Sequence, residues 1–152
     1  MKLPYKEGTW FSVPLAKAGY AVGLIARMRP SGKIVLGYFF GPRRLEMPGL
    51  AEVTLLSPKQ AILVVRFGDL RLLNGQWPII GIDPSWSRDK WPSPDFLRRD
   101  PLTKRAWRVH YSDNDPSVIV SEKPDSYERD DLTDDGLDGA KAVEIDLNNL
   151  IK

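Results

Sequence analysis

A chain of 152 residues with one histidine and no cysteine has few ways to make or break a bond. Without cysteine there is no thiolate nucleophile, no disulfide framework and no sulfur-ligated metal, and one histidine cannot furnish a multi-histidine zinc site or a Cys–His pair. The sequence contains no Gly-x-Ser-x-Gly elbow to raise a serine. His110 falls between Arg108 and Ser112 in a stretch where Trp107, Val109 and Tyr111 form the apolar alternation, so it reads as a solvated surface histidine rather than an acid–base group. Gly32-Lys33 looks like the end of a phosphate loop, but Arg27 stands where the first glycine is required and Ile34 where Ser or Thr is. Asp131 to Gly136 opens like a calcium loop, yet Thr133 occupies the third position and Ala142 the twelfth, so the bidentate acid is missing. The pairs Asp130/Asp131 and Asp134/Asp135 lie in a polar setting that would not raise a carboxyl pKa for glycosidase-like work. These residues predict a protein that is not an enzyme and takes no cofactor and no metal.

Two patterns point instead to binding. Between Trp86 and Tyr111, the cations Arg88, Lys90, Arg98, Arg99, Lys104, Arg105 and Arg108 interleave with Trp91, Phe96 and Trp107. Cations hold phosphates while aromatic faces stack bases, so this segment is a candidate surface for single-stranded nucleic acid. The competing expectation is that the aromatics fill a core while the charges stay in water. The second pattern is the acidic run Glu128, Asp130, Asp131, Asp134, Asp135 and Asp138, which could dock on a basic protein and speed encounter by long-range attraction, or could simply be a solvated linker.

The net charge of +2 conceals a strong polarity: residues 1–110 carry 18 Lys/Arg against 8 Asp/Glu, and residues 111–152 carry 4 against 12. An asymmetry of this size marks either an interaction surface or an acidic end that folds back and neutralises a basic body. The amino-terminal residues lack the apolar stretch of a signal peptide, and no run approaches the ~20 apolar residues needed to cross a bilayer. A cytoplasmic, cysteine-free protein with no membrane partner is the expectation.

The elements that must position these residues are mostly strands. Thr9 to Leu15, Tyr20 to Met28 and Lys33 to Phe40 are β-branched and aromatic, and they are separated by Ala16-Lys17-Ala18-Gly19 and Arg29-Pro30-Ser31-Gly32, which predicts an antiparallel meander. Alternation in the first run puts Phe11, Val13 and Leu15 on the more apolar face, and Pro14 marks that strand as an edge or a bulge. Ala61 to Phe67 reads as a central strand covered on both faces, and Pro78 to Ile82 as another short strand. Residues 83–105 read as a long Pro/Trp-containing loop packed by Trp86, Trp91 and Phe96. A hairpin of Ala106–Tyr111 and Ser117–Ser121 follows. Residues 125–139 read as an acidic linker with little to bury. Ala140, Val143, Leu147, Leu150 and Ile151 form a helical stripe over 140–151, although Val143, Ile145 and Leu147 also alternate as a strand would. The expected whole is one mostly β domain spanning residues 1–152, an antiparallel twisted sheet or partly open barrel with a C-terminal helix.

Several of these runs carry a resemblance. Gly8-Thr9-Trp10-Phe11-Ser12-Val13-Pro14-Leu15, Gly19-Tyr20-Ala21-Val22-Gly23 and Gly37-Tyr38-Phe39-Phe40, followed by Phe67-Gly68-Asp69 and Trp77-Pro78-Ile79-Ile80-Gly81, resemble the immunity protein 26 family of bacterial polymorphic toxin systems. The likeness is clearest over residues 5–82, with Asp135-Gly136-Leu137 and Ala142-Val143-Glu144 as a weaker echo. It implies a mostly β protein, encoded beside a toxin, whose partner is that cognate toxin and whose action is to bind and block it. It implies no catalytic residues.

Overall fold

The computed structural model describes residues 2–152. Among the described residues, nine strands form two sheets. The larger contains β1 (Thr9–Pro14), β2 (Tyr20–Met28), β3 (Ile34–Arg44), β4 (Leu63–Gly68), β5 (Ile79–Ile82) and β9 (Leu137–Asp138) in the order β5-β1-β2-β3-β4-β9. The smaller contains β6 (Phe96–Asp100), β7 (Arg105–Tyr111) and β8 (Ile119–Asp125) in that order. Every pairing between these strands is antiparallel except the two-residue β4–β9 contact. Neither sheet closes, so the twisted antiparallel sheet is the correct member of the two expected forms. Two single-turn helices, α1 (Leu50–Val53) and α2 (Leu70–Leu73), lie in the connections, and α3 (Ala140–Leu150) ends the chain.

The larger sheet is the middle layer of three. One face carries Phe11, Val13, Ile25, Phe39 and Phe67 against Trp77, Val143 and Leu147 of α3 and Ile151 just past its end, which confirms the helix over its strand alternative. The other carries Trp10, Leu24, Tyr38 and Phe40 against Trp91 and the inward side chains Phe96, Val109 and Tyr111 of the smaller sheet. Burial on both faces explains why Trp10, assigned by alternation to the less apolar side of β1, is 1% exposed. The second sheet supplies an apolar surface that local patterning in β1 cannot reveal. β1 is also not an edge, since β5 pairs with it over Thr9 to Phe11; Pro14 is accommodated because it is the last residue of the strand, past the end of β5.

Glycines in the matching motifs have a packing role. Gly23 lies directly across the ladder from Phe11, and the Phe11 ring folds over it so closely that a Cβ there would sit 2.2 Å from the ring. That close approach lets Phe11 stack on Trp77, with centroids 5.6 Å apart and planes 4° from parallel. Asp69 in the Phe67-Gly68-Asp69 motif is buried and accepts from the Tyr5 hydroxyl at 2.7 Å and the Lys33 amide at 2.9 Å, so it ties the β2–β3 turn and the amino-terminal segment to the end of β4.

The stretch expected to be a loop over 83–105 contains β6. Its sequence, Phe96-Leu97-Arg98-Arg99-Asp100, has only two apolar residues, and its open edge at Leu97 is completed by backbone that arrives much later, at Thr133 to Asp135.

Candidate partner-binding surface

The acidic segment is built onto the smaller sheet rather than strung between elements. β8 ends at Asp125, opposite Ala106 on β7. Beyond it Arg129 turns back, donating Nη1 to Asp125 at 2.7 Å and gripping the Asp131 carboxylate through Nε at 2.6 Å and Nη2 at 3.1 Å. These guanidinium bonds hold the Asp131 carboxyl below the usual carboxylate range. Arg99 on β6 donates Nε to the Tyr127 carbonyl at 2.9 Å and also reaches the Arg129 carbonyl and the Asp134 carboxylate. The Leu97 amide then donates to Thr133 O at 2.9 Å and Leu97 O accepts from the Asp135 amide at 2.8 Å, closing the free edge of β6. Finally Leu137 and Asp138 join β4 as β9. The segment expected to have little to bury therefore follows a defined path, because its own backbone completes two sheet edges.

This path divides the six predicted acids. Asp135 turns inward: it accepts from the Tyr111 hydroxyl at 2.5 Å and lies 3.4 Å from Arg66 Nη2. Arg66 is 8% exposed, donates Nη1 to the Pro116 carbonyl at 3.2 Å and stacks over the Tyr111 ring at 3.8 Å. Burial, reinforced by the bond to Asp135, pushes the Tyr111 hydroxyl up to about 12. Asp138 is half-buried, and burial together with nearby Asp146 raises its carboxyl above the ordinary value. Glu128, Asp130, Asp131 and Asp134 remain exposed, and Glu128 and Asp130 have no ion-pair partner among the described residues. Only these four form a surface.

The basic, aromatic segment is likewise split. Trp91 and Phe96 are in the core, Trp91 edge-on to Trp10, Tyr38 and Phe40, so neither presents a face on which a base could stack. Trp107 is half-buried beneath Arg98. Arg88 forms a bidentate pair with Glu7, at 2.8 and 2.7 Å; Arg98 pairs with Glu122, Arg99 with Asp134, and Arg108 lies 3.5 Å from Asp95. Lys90, Lys104 and Arg105 alone among the predicted cations have no ion pair with a described residue. The acidic end folds back on the basic body, and this mutual neutralisation accounts for much of the charge polarity of the chain. His110 is half-buried, with Nδ1 2.8 Å from Asp95.

Two buried arginines escaped sequence reasoning. Arg27 on β2 is 2% exposed and donates Nε to Asp113 at 2.8 Å and Nη1 to the Trp91 carbonyl at 3.0 Å, and its guanidinium draws the Asp113 carboxyl below its ordinary value. Arg66 is the other. Both sit in otherwise apolar strands, and that placement is itself a signal: a cation in a buried strand must find a fixed acceptor, so each foretells a contact between the sheets.

With the three layers and the motif contacts defined, comparison with known proteins is decisive. The family model described as Immunity protein 26 matches residues 6–108. The chain belongs to the immunity protein 26 family. The match covers β1 to β6 and most of β7, so the extent of the likeness exceeds the 5–82 core of the motif resemblance. β8, the acidic segment and α3 lie outside it. No curated protein and no solved structure matches the chain. No helix among the described residues is long and apolar enough to cross a membrane.

Proposed function

We propose that this chain protects its host cell by binding a cognate polymorphic toxin and blocking it, with the exposed strip Glu128, Asp130, Asp131 and Asp134 contributing the electrostatic part of recognition. Membership of an immunity family supports the role. The single structural observation that supports the site is that Arg99 and Arg129, through Asp134 and Asp131, fix the path of this strip while leaving Glu128 and Asp130 exposed and without an ion-pair partner among the described residues. A pre-formed path avoids the ordering cost that a mobile acidic linker would incur on binding. The complementary partner surface is cationic, as on a nuclease that grips a phosphate backbone, and the strip would then occupy the place of phosphates.

The test is association kinetics with the toxin encoded beside this chain. Changing Glu128 and Asp130, the two acids that no arginine holds, together to Lys should slow association at low salt several-fold, with much of the difference lost at high salt. Unchanged association rates would refute the electrostatic assignment. Failure of the wild-type chain to bind the toxin or to rescue cells expressing it would refute the immunity reading itself.

A further inference from the structure

The two edges of the smaller sheet are finished differently. On β6 the Leu97 amide donates to Thr133 O at 2.9 Å and Leu97 O accepts from the Asp135 amide at 2.8 Å, so both backbone groups of Leu97 point away from β7. Leu97 stands opposite Arg108, which therefore turns its own amide and carbonyl toward β8, where its partner is Lys123. Alternation along the ladder then directs the backbone groups of Glu122, Pro124 and, beyond a bulge at Val120, Ile119 away from β7. The Ser112 amide, of the same parity as Arg108, donates to Val118 O at 2.8 Å, in agreement with this register. Pro124, with no N–H to offer, occupies an outward position, where a proline is tolerated. Outside the β7 ladder no hydrogen bond among the described residues reaches the β8 backbone, so this edge is open. Beside it, Val118, Ile119 and Val120 are three consecutive exposed β-branched side chains.

We infer that the β8 edge takes up an extended segment of the toxin as a fourth strand of this sheet, paired through the backbone of Ile119 and Glu122. The inference rests on the immunity reading and names a contact through which it would act. A row of free N–H and C=O groups selects a strand as its occupant, because an extended backbone offers the complementary row. Val118, Ile119 and Val120 favour apolar side chains at the matching positions of that segment. Pro124 ends the pairing, since it has no donor, and the Val120 bulge keeps the paired stretch short. Charge distinguishes the toxin from a second copy of this chain. Lys123 is exposed and has no ion pair among the described residues, whereas both acids of β8 are held, Glu122 by Arg98 and Asp125 by Arg129. A second β8 would leave both Lys123 side chains unpaired, so the segment that fits carries an acid opposite Lys123.

The experiment is residue-resolved amide hydrogen exchange of the full chain, followed by NMR, free and bound to the toxin encoded beside it. The amides of Ile119 and Glu122 should exchange about tenfold more slowly in the complex, while those of Ser121 and Lys123, already directed to β7, change less. In binding measurements Lys123→Glu should weaken the complex about tenfold, chiefly through faster dissociation. Lys59→Glu, the same charge change at an exposed lysine in the Pro58–Gln60 turn, should bind as wild type. A complex in which the Ile119 and Glu122 amides exchange as fast as in the free chain overturns the strand addition and leaves the immunity reading in place. Protection of these amides that grows with the concentration of the free chain, with a dimer mass by light scattering, overturns the toxin as occupant in favour of a second copy. Equal losses in both charge variants overturn the acid opposite Lys123. Absence of wild-type binding overturns the immunity reading and the inference together.

Discussion

Removing the Asp135 carboxylate should destabilise the fold far more than removing any of its exposed acidic neighbours. Asp135→Ala leaves the Arg66 guanidinium, which is nearly buried between the sheets, with the Pro116 carbonyl and the Tyr111 ring as its remaining partners, and it takes the acceptor from the Tyr111 hydroxyl. Breaking a buried ion pair by deleting one member costs about 3–5 kcal/mol, because the other charge stays desolvated. The 3.4 Å separation and single-point contact put this pair at the lower end. Loss of the tyrosine hydrogen bond adds about 1 kcal/mol. The expected total is about 3–4 kcal/mol, or roughly 10 °C in melting temperature for a protein of this size. Urea unfolding of Asp135→Ala beside Asp130→Ala measures it, and Asp130→Ala should lie within about 0.5 kcal/mol of wild type. The double variant Arg66→Met/Asp135→Leu should recover most of the loss, since an apolar pair removes the stranded charge. If Asp135→Ala costs no more than Asp130→Ala, the clamp between β4, β7 and the acidic segment does not exist. The result also bears on function: a binding defect in any variant that includes Asp135 reports lost structure, so the recognition test must exclude it.

Gly23→Ala should destabilise by about 1–3 kcal/mol, because its methyl group would displace the Phe11 ring from its stack on Trp77; urea unfolding checks this, and a neutral result would show that the ring can shift freely. Asp138→Asn should raise the melting temperature by about 1–2 °C at pH 7. The folded-state pKa of Asp138 lies above its unfolded value, so the ionised carboxyl weakens the native state at neutral pH. That penalty is absent below the unfolded pKa, and the gain should vanish near pH 3. A gain of the same size at both values would assign the effect to something other than ionisation.

The strands with strong apolar patterns were legible because both their propensity and their turns agree: β1 to β3 and the β7–β8 hairpin follow from residues 9–40 and 106–121 alone. What could not be read was made by distant chain. β6 has only two apolar residues and its open edge is completed by the backbone of Thr133 to Asp135, and those residues appear unstructured because the edge they complete is made of β6. Each half of this pair lacks, within its own window, the partner that gives it structure. The same holds for the candidate surface. Six acids close together in sequence suggest one patch, but direction along an irregular backbone is set by what lies beneath it, and Arg66 and the β4 edge draw Asp135 and Asp138 inward.

The arginines explain why a basic body and an acidic end occur in one small domain. Arg66 and Arg99 stand on strands of different sheets, yet both reach the 127–135 segment, so the acidic chain acts as a strap across the joint between layers. A strap held by charge has a surplus: Glu128 and Asp130 are used by no arginine and face outward. Recognition and stability thus draw on one set of acids but on separable members of it. The division predicts different salt responses, because the exposed carboxylates are screened over about 8 Å at physiological ionic strength, whereas the buried Arg66–Asp135 pair is shielded from solvent ions. Raising salt should slow toxin association well before it lowers the unfolding midpoint, and a parallel decline in both would mean that the strap itself is solvated.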